Sequence, residues 1–479
     1  MINTLGTIKI SKQQYIFIAI GFIIALLTGL YAVYSGNYAM AFVPVLILGI
    51  TVYLILLFRE PFIGIIITIT YCFFYAFLSR EIGGGFQYGL GIDMLLLLTL
   101  LSIWYNANRY NIHNLNNNLI YITLAWFAIS FAEIANPSGA SPRGWLQEIR
   151  GAALYPLLIV PIGIILFDSR KKLNFFLGFI IVLSLLATFI GIKQVKMGLS
   201  IGEQTFIDDA GYVTHLINDQ LRAFSVFTDA SQFGPQQAHV AVITFILAIG
   251  LQSWNKKILL IAISVLSFYG MLISGTRGAF FVILAGALVG ILFTKNLRVI
   301  IFGGSIFILL FIILKFTYIG NTNYNIYRLR SSLDTEDASL NVRLINQQKL
   351  RDYLATKPFG EGLGVIGHWG REYNPDKYLS TIPPDSYWVK VWAMYGIVGF
   401  IIFFCMWMFI FGYAGAMIWK IPDKNLRLKL GALLGGAFGI FISSYGNEVM
   451  NTMPSSIVLS LSIAIIYITC KLYKQNKLI

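Results

Sequence analysis

The sequence predicts an all-α polytopic membrane protein with about 14 transmembrane helices and two long outward-facing loops, a single integral membrane domain over residues 1–479. Three observations predict it. Charged residues make up only 12% of the chain and hydrophobic residues 57%, where a soluble domain carries about 25% charge. The remaining charge lies between apolar runs of about twenty residues, the length that spans a bilayer. The basic residues then recur in every second connection between those runs.

In chain order, apolar runs begin near residues 14, 38, 62, 90, 118, 151, 173, 235, 256, 278, 298, 386, 427 and 453. Lys9 and Lys12 precede the first, whose length of about twenty residues exceeds a cleaved signal's core, so it reads as a retained span. Arg59, Arg109, "RKK" at 170–172, "NKK" at 255–257, "KNLR" at 295–298 and "KNLRLK" at 424–429 supply the basic connectors, and Lys471, Lys474 and Lys477 the tail. The alternate short loops hold only Arg80, Arg143, Arg150 and Arg277. The positive-inside rule therefore puts both termini in the cytoplasm.

The two long loops, 193–234 and 319–385, then face outward. The second contains "SLNVRLINQQKLRDYLATKPFGEGLG". Helical spacing sets Arg343, Gln347 and Arg351 on one face, with Val342, Ile345 and Leu350 offering apolar contacts elsewhere. Such a helix can lie along the membrane interface with its basic face available. Pro358 and glycines 360, 362 and 364 end it.

A net charge of +14 raises nucleic acid as a partner, but no soluble basic domain exists to bind it, and cytoplasmic loop charge with anionic lipids or substrates accounts for the excess. The three cysteines, Cys72, Cys405 and Cys470, lie inside apolar runs and form no metal cluster pattern. The four histidines have no ligand spacing, which speaks against a zinc site. A phosphate-binding P-loop signature is missing, as are the usual contexts of serine and cysteine nucleophiles. Span centres are nearly free of ionisable groups, unlike the relays of proton-coupled transporters.

Chemistry belongs on the outward side, where the polar residues unnecessary for topology project: Arg143, Trp145, Glu148, Arg150, Lys193, Lys196, Arg222, Asp229, Arg277, Arg328, Arg330, Arg343, Arg351, His368, Arg371 and Asp385. Arg277 sets the problem most sharply, since "MLISGTRGAFFVIL" is otherwise apolar and a guanidinium in lipid costs roughly 2.5–3.5 kcal/mol even on the lenient insertion scale. Arginine outnumbers lysine in this set, and its planar fork suits phosphate oxygens better than an ammonium does. Bland readings compete: snorkelling for Arg277, pairing of Arg143 or Arg150 with Glu148, a helix start at Asp385.

Four segments carry a resemblance: "RAFSVFTDASQFGPQQA" (222–238), "SGTRGAF" (274–280), "NVRLINQQKLRDYLATKPFGEGLG" (341–364) and "PDSYWVKVWAMYGIVGF" (384–400). Their order and outward placement resemble the O-antigen polymerase and O-antigen ligase family of bacterial envelope polysaccharide synthesis. The resemblance implies a GT-C-like membrane enzyme of the bacterial inner membrane, with its site facing the periplasm or exterior. The donor it implies is a glycan on undecaprenyl diphosphate; a growing glycan is the acceptor, the bilayer is the medium, and a chain-length regulator is a further partner it admits. No cofactor and no metal are implied. Arg222 and Arg277 would stabilise the leaving diphosphate, Asp385 would accept the proton of the incoming hydroxyl, and Arg143, Arg150, Arg343, Arg351 and His368 would bind substrate. Ligases of the family usually have His-Asn where this chain has Asp385-Ser386, which favours a polymerase of O-antigen, capsule or exopolysaccharide units. Two rivals remain, a lipid-linked oligosaccharide flippase and a binding protein without catalysis. The first would need a charged cavity reachable from both sides.

Overall fold

The structure, a computed structural model, describes residues 43–478 except 84–86, 218–219 and 335–337, together with Gly21, Ile23, Leu27 and Tyr31. The first expected span, from residue 14, lies outside the described residues. Helices α1 (Val43–Arg59), α2 (Phe62–Ile82), α3 (Gly89–Tyr105) and α4 (Asn118–Ala132) come first. Helix α5 (Pro142–Ile149) passes through a π-helical turn, Arg150–Leu154, into α6 (Tyr155–Leu166), and α7 (Arg170–Met197) follows. The first long connection holds α8 (Ile201–Phe206), α9 (Tyr212–His215) and a small antiparallel hairpin, β1 (Leu216–Ile217) with β2 (Gln220–Leu221), Leu216 facing Leu221. Next come α10 (Ala230–Gly250), α11 (Trp254–Ile273), α12 (Gly278–Leu292) and α13 (Leu297–Phe316). The second long connection holds α14 (Tyr324–Ser331), α15 (Ala338–Leu354) and α16 (Gly367–Tyr373), before α17 (Tyr387–Trp419), α18 (Lys424–Ser443) and α19 (Ser455–Lys474).

Among the described residues ten helices are long and apolar enough to cross a membrane, and three more apolar helices are shorter. The protein is an all-α polytopic membrane protein. Every run expected from residue 62 onward coincides with one of these helices. One boundary differs: the run expected at 151 is the second half of a helix that enters at Pro142. Its polar first turns are tolerated because their charges are matched elsewhere, Glu148 by Lys390 and Arg150 by Asp93. The expected pairing of Arg143 or Arg150 with Glu148 is not what the structure shows.

The basic connectors meet at one end of the bundle. Arg109 donates to the carbonyl of Arg59, Lys471 to those of His113 and Asn114, and Lys429 to the Asn174 side chain. Arg170 pairs with Asp423 at 2.7 Å, and the buried Arg427 closes the last turn of α12 through the Phe293 carbonyl at 2.9 Å.

Two central helices pack backbone against backbone. Helices α12 and α18 carry small residues at a four-residue spacing: Gly286 and Gly290 on one, Gly431, Gly435 and Gly439 on the other. A methyl group at Gly286 would stand 2.8 Å from the Gly435 carbonyl oxygen, and one at Gly435 would strike the Gly286 carbonyl. Lipid tails are as apolar as leucine, so close approach of this kind, through van der Waals contact, is what holds helices together in a bilayer.

Helix α17 has 33 residues, about 50 Å, well beyond a hydrocarbon core of about 30 Å. It is broken at Gly396, whose φ of 66° leaves helical geometry. The exposed carbonyls at the break are taken by the loop that follows α15. Glu361 N donates to Ala393 O at 3.2 Å and Gly362 N to Met394 O at 2.9 Å, while Val398 N donates to Pro358 O at 3.1 Å. The "PFGEGLG" stretch is therefore the patch over a helix break. Docking at that point explains why α15 buries Leu350 and Leu354 near its end, whereas Val342 and Ile345, expected as contacts, are exposed.

The glycine seam yields a first test. Gly435→Val places two methyl groups against the Gly286 backbone; it should cost roughly 1–3 kcal/mol and lower both the amount of inserted protein and its melting temperature in detergent, whereas Gly412→Val, at a glycine with open space, should change neither.

Candidate functional site

At the end of the bundle opposite the basic connectors lies a cavity of about 1110 Å³, lined by residues of both long connections and of the turns at α11–α12 and α18–α19. Five arginines reach it, Arg222, Arg277, Arg328, Arg343 and Arg371, with Asp229, Asp334, Asp385, Glu448 and His368.

Arg222 leaves β2 and is held by two peptide carbonyls and a hydroxyl. Its Nε donates to Ser274 O at 3.1 Å, Nη1 to Thr214 O at 2.7 Å and Nη2 to Thr276 Oγ1 at 3.1 Å. A guanidinium has five N–H donors, and among the described residues these three bonds fix the plane of the fork. Burial, then the neighbouring Arg328, pulls this guanidinium down to about 10, and it stays protonated at neutral pH. The segment behind it is clamped from two helices. Arg80 of α2 donates to the Phe227 and Ser225 carbonyls and lies 4.9 Å over the Phe224 ring. Gln194 of α7 accepts from Phe224 N and Ser225 N, and Glu203 holds Gln194 in turn.

Arg277 sits in the "SGTRG" turn at the residue just before α12, without capping it. Gly275 has φ +56°, and a Cβ there would meet Arg222 Cγ at 3.3 Å, so glycine lets the turn pass close beneath the first arginine. Arg328 of α14 donates to the Gly275 carbonyl at 3.3 Å. The α12 N-terminus has no side-chain cap, whereas α10 is capped by Asp229 and α17 by Ser386. All three N-termini open on the cavity, and each adds a partial positive charge to the arginines.

Asp385 lines the cavity, exposed, with φ +49°. Left-handed backbone is uncommon outside glycine, and where a protein tolerates it the residue is often functional. The helix start is served by its neighbour: Ser386 Oγ accepts from Val389 N at 3.3 Å. Capping therefore does not explain Asp385.

Of the residues expected to bind substrate, Arg343 and His368 reach the cavity, His368 as an exposed side chain 3.4 Å from Glu372. The structure does not bring Arg143, Arg150 or Arg351 to it. Arg150 is spent within the bundle, 2.7 Å from Asp93 and 2.9 Å from Gln147 Oε1. Arg143 and Arg351 are exposed away from the cavity lining. Arg351 lies two turns beyond Arg343, past the part of α15 that overhangs the cavity.

Sequence reasoning missed a buried cluster at the cavity's edge. Lys390 of α17 lies 2.9 Å from Glu148 of α5 and 2.9 Å from Glu448 in the α18–α19 turn. Asn447 and Gln232 line the cavity beside it. The polar stretch "YGNEVMNTMP" between two apolar runs was the available signal for Glu448; Lys390, four residues inside a span, had none. Among the described residues no group of three or more His, Cys, Asp or Glu is placed to hold a metal ion.

Fold and site define a polytopic membrane protein with an arginine-lined cavity at one end of its helix bundle. Residues 262–404 match a family model described as O-antigen ligase, which supports the resemblance to the O-antigen ligase and polymerase family over that part of the chain. The match takes in the segments with Arg277, Arg343, His368 and Asp385 and begins beyond Arg222. No curated protein matches the chain.

The capping assignment is testable by stability alone. Ser386→Ala should lower the stability of the purified protein by about 1 kcal/mol, read as a lower melting temperature, while Asp385→Asn should leave the melting temperature unchanged or raise it.

Proposed function

We propose that the protein polymerises oligosaccharide repeat units carried on undecaprenyl diphosphate into O-antigen, capsule or exopolysaccharide. The reaction is a glycosyl transfer on the outer face of the bacterial inner membrane, in a GT-C-like bundle of about 14 spans with cytoplasmic termini. The observation that carries the reading is the single cavity that gathers Arg222, Arg277 and Asp385 at the uncapped start of α12.

The incoming sugar hydroxyl oxygen attacks the anomeric carbon of the donor and forms the new glycosidic bond. The bond from that carbon to the diphosphate oxygen breaks, and the diphosphate leaves with the electron pair. The hydroxyl proton passes to the Asp385 carboxylate. Charge grows on the leaving diphosphate, and Arg222, Arg277, Arg328 and the N–H groups of the first turn of α12 stabilise it where a metal ion would do so in other enzymes. Three of the Arg222 donors are already committed to the protein, so little reorganisation accompanies the step.

The family description favours a second reading, ligation of a finished glycan to a lipid acceptor. Asp385-Ser386 at the position of the ligases' His-Asn weighs against it. A flippase is less well supported, because the basic end of the bundle is closed by its own hydrogen bonds.

Deletion of the gene should cause single repeats to accumulate on the lipid carrier; loss of all surface-exposed lipid-linked units would identify a flippase instead, and accumulation of full-length polymer on the carrier a ligase. In the complemented strain Arg277→Lys and Arg222→Lys keep the charge but lose the fork. Each should lose most polymer at normal protein abundance, and normal polymer in Arg277→Lys would sink the diphosphate site. Asp385→Asn should abolish elongation.

Orientation is checked separately. In a background lacking the three native cysteines, cysteine at the exposed positions 213 and 345 should react with an impermeant thiol reagent added outside intact spheroplasts, and cysteine at 256 and 424 should not.

A further inference from the structure

Resting on the glycosyl-transfer reading, we infer that Gln232, Trp388, Tyr445 and Glu448 form the subsite that recognises the acceptor glycan, with Lys390 and Glu148 as the anchor that fixes Glu448. All four line the cavity. They supply the combination that sugars require: aromatic faces for C–H surfaces, and acceptors for hydroxyls.

The aromatic part is rigid. The Trp388 indole donates to the Phe441 carbonyl at 3.1 Å and packs edge-on against Tyr445, ring centroids 5.8 Å apart. Tyr445 itself is 46% exposed, a large ring left open at a polar cavity.

The polar part has unspent capacity. Gln232 is only 3% exposed, and its Nε2 donates to the Glu448 carbonyl at 2.5 Å. Its Oε1 is buried without a hydrogen-bond partner, an arrangement that costs stability unless a ligand hydroxyl answers it. Glu448 receives Lys390 on Oε2 and keeps a second oxygen. Lys390 stands between two carboxylates, Glu148 and Glu448, 2.9 Å from each, and so fixes the position of the Glu448 side chain. Neither carboxylate is needed for the leaving diphosphate, which the arginines would serve. Asn447 marks the border: its Nδ2 lies against Gly278 at the start of α12.

Glu448 is a positioning residue for the attacking hydroxyl, not the proton acceptor, and its loss should appear in acceptor KM before kcat. The lipid-linked repeat that accumulates in the deletion strain supplies both substrates. Mild acid frees part of it from diphosphate, giving a glycan that cannot act as donor but still presents the acceptor end. Purified protein in liposomes, saturated with the lipid-linked repeat, would extend the fluorescently labelled free glycan.

Glu448→Gln should raise the KM for free glycan about tenfold or more with kcat changed far less. Tyr445→Ala, which leaves the Lys390 cluster untouched, should raise it about fivefold. Arg277→Lys should instead lose kcat. Unchanged KM in both Glu448→Gln and Tyr445→Ala would overturn the subsite. So would a wild-type protein that joins lipid-linked repeats but never extends free glycan. A wild-type protein that joins no lipid-linked repeats would sink the glycosyl-transfer reading, and the subsite with it.

Discussion

The site depends on two helix backbones lying in contact. Where Gly286 and Gly290 meet Gly431, Gly435 and Gly439, α12 and α18 approach so closely that neither can slide or rotate without striking a carbonyl. Such a seam has little tolerance and therefore sets register. At its upper end Ser443 donates to the Gly278 carbonyl at 2.9 Å, and a Cβ on Gly278 would collide with Asn447. The arginine turn before α12 and the carboxylate turn after α18 are thus held side by side by packing in the membrane interior, several helical turns away. Interiors packed to this density transmit position rather than absorb it.

Placement of the helices was legible in the sequence because bilayer thickness imposes a length on every apolar run. The arginine face was legible for a related reason: a guanidinium is too costly in lipid to be kept idly, so Arg277 stands out in its apolar run. What stayed hidden was pairing. Arg150 meets Asp93 and Glu148 meets Lys390 across long stretches of chain, and charge in sequence does not say which partner cancels it. Periodicity set Arg343 and Arg351 on one face, but only Arg343 reaches the cavity; where α15 docks is decided by Leu350, Leu354 and the helix break at Gly396, which no periodicity records.

The two charge systems of the cavity differ in how they are supported. Arg222 rests on two carbonyl oxygens and a hydroxyl, neutral partners that orient a cation without cancelling it. Glu448 rests on a lysine that is itself shared with a second carboxylate. Buried charges with one partner removed are strongly destabilising, so Lys390 ties α5, α17 and the α18–α19 turn into one unit.

The patch over the break in α17 divides the second long connection into parts of unequal evolutionary freedom. From Pro358 to Gly396 the chain is stitched to itself by backbone hydrogen bonds on both sides of the break, with Asp385 inside the stitched interval. Added or deleted residues there would displace Asp385 from the cavity. Upstream, between α13 and α15, the chain meets the bundle mainly through side chains such as Arg328. Only the turn between α13 and α14 can lengthen or shorten there, because Arg328, Ser331, Ser332 and Asp334, which follow it, line the cavity themselves.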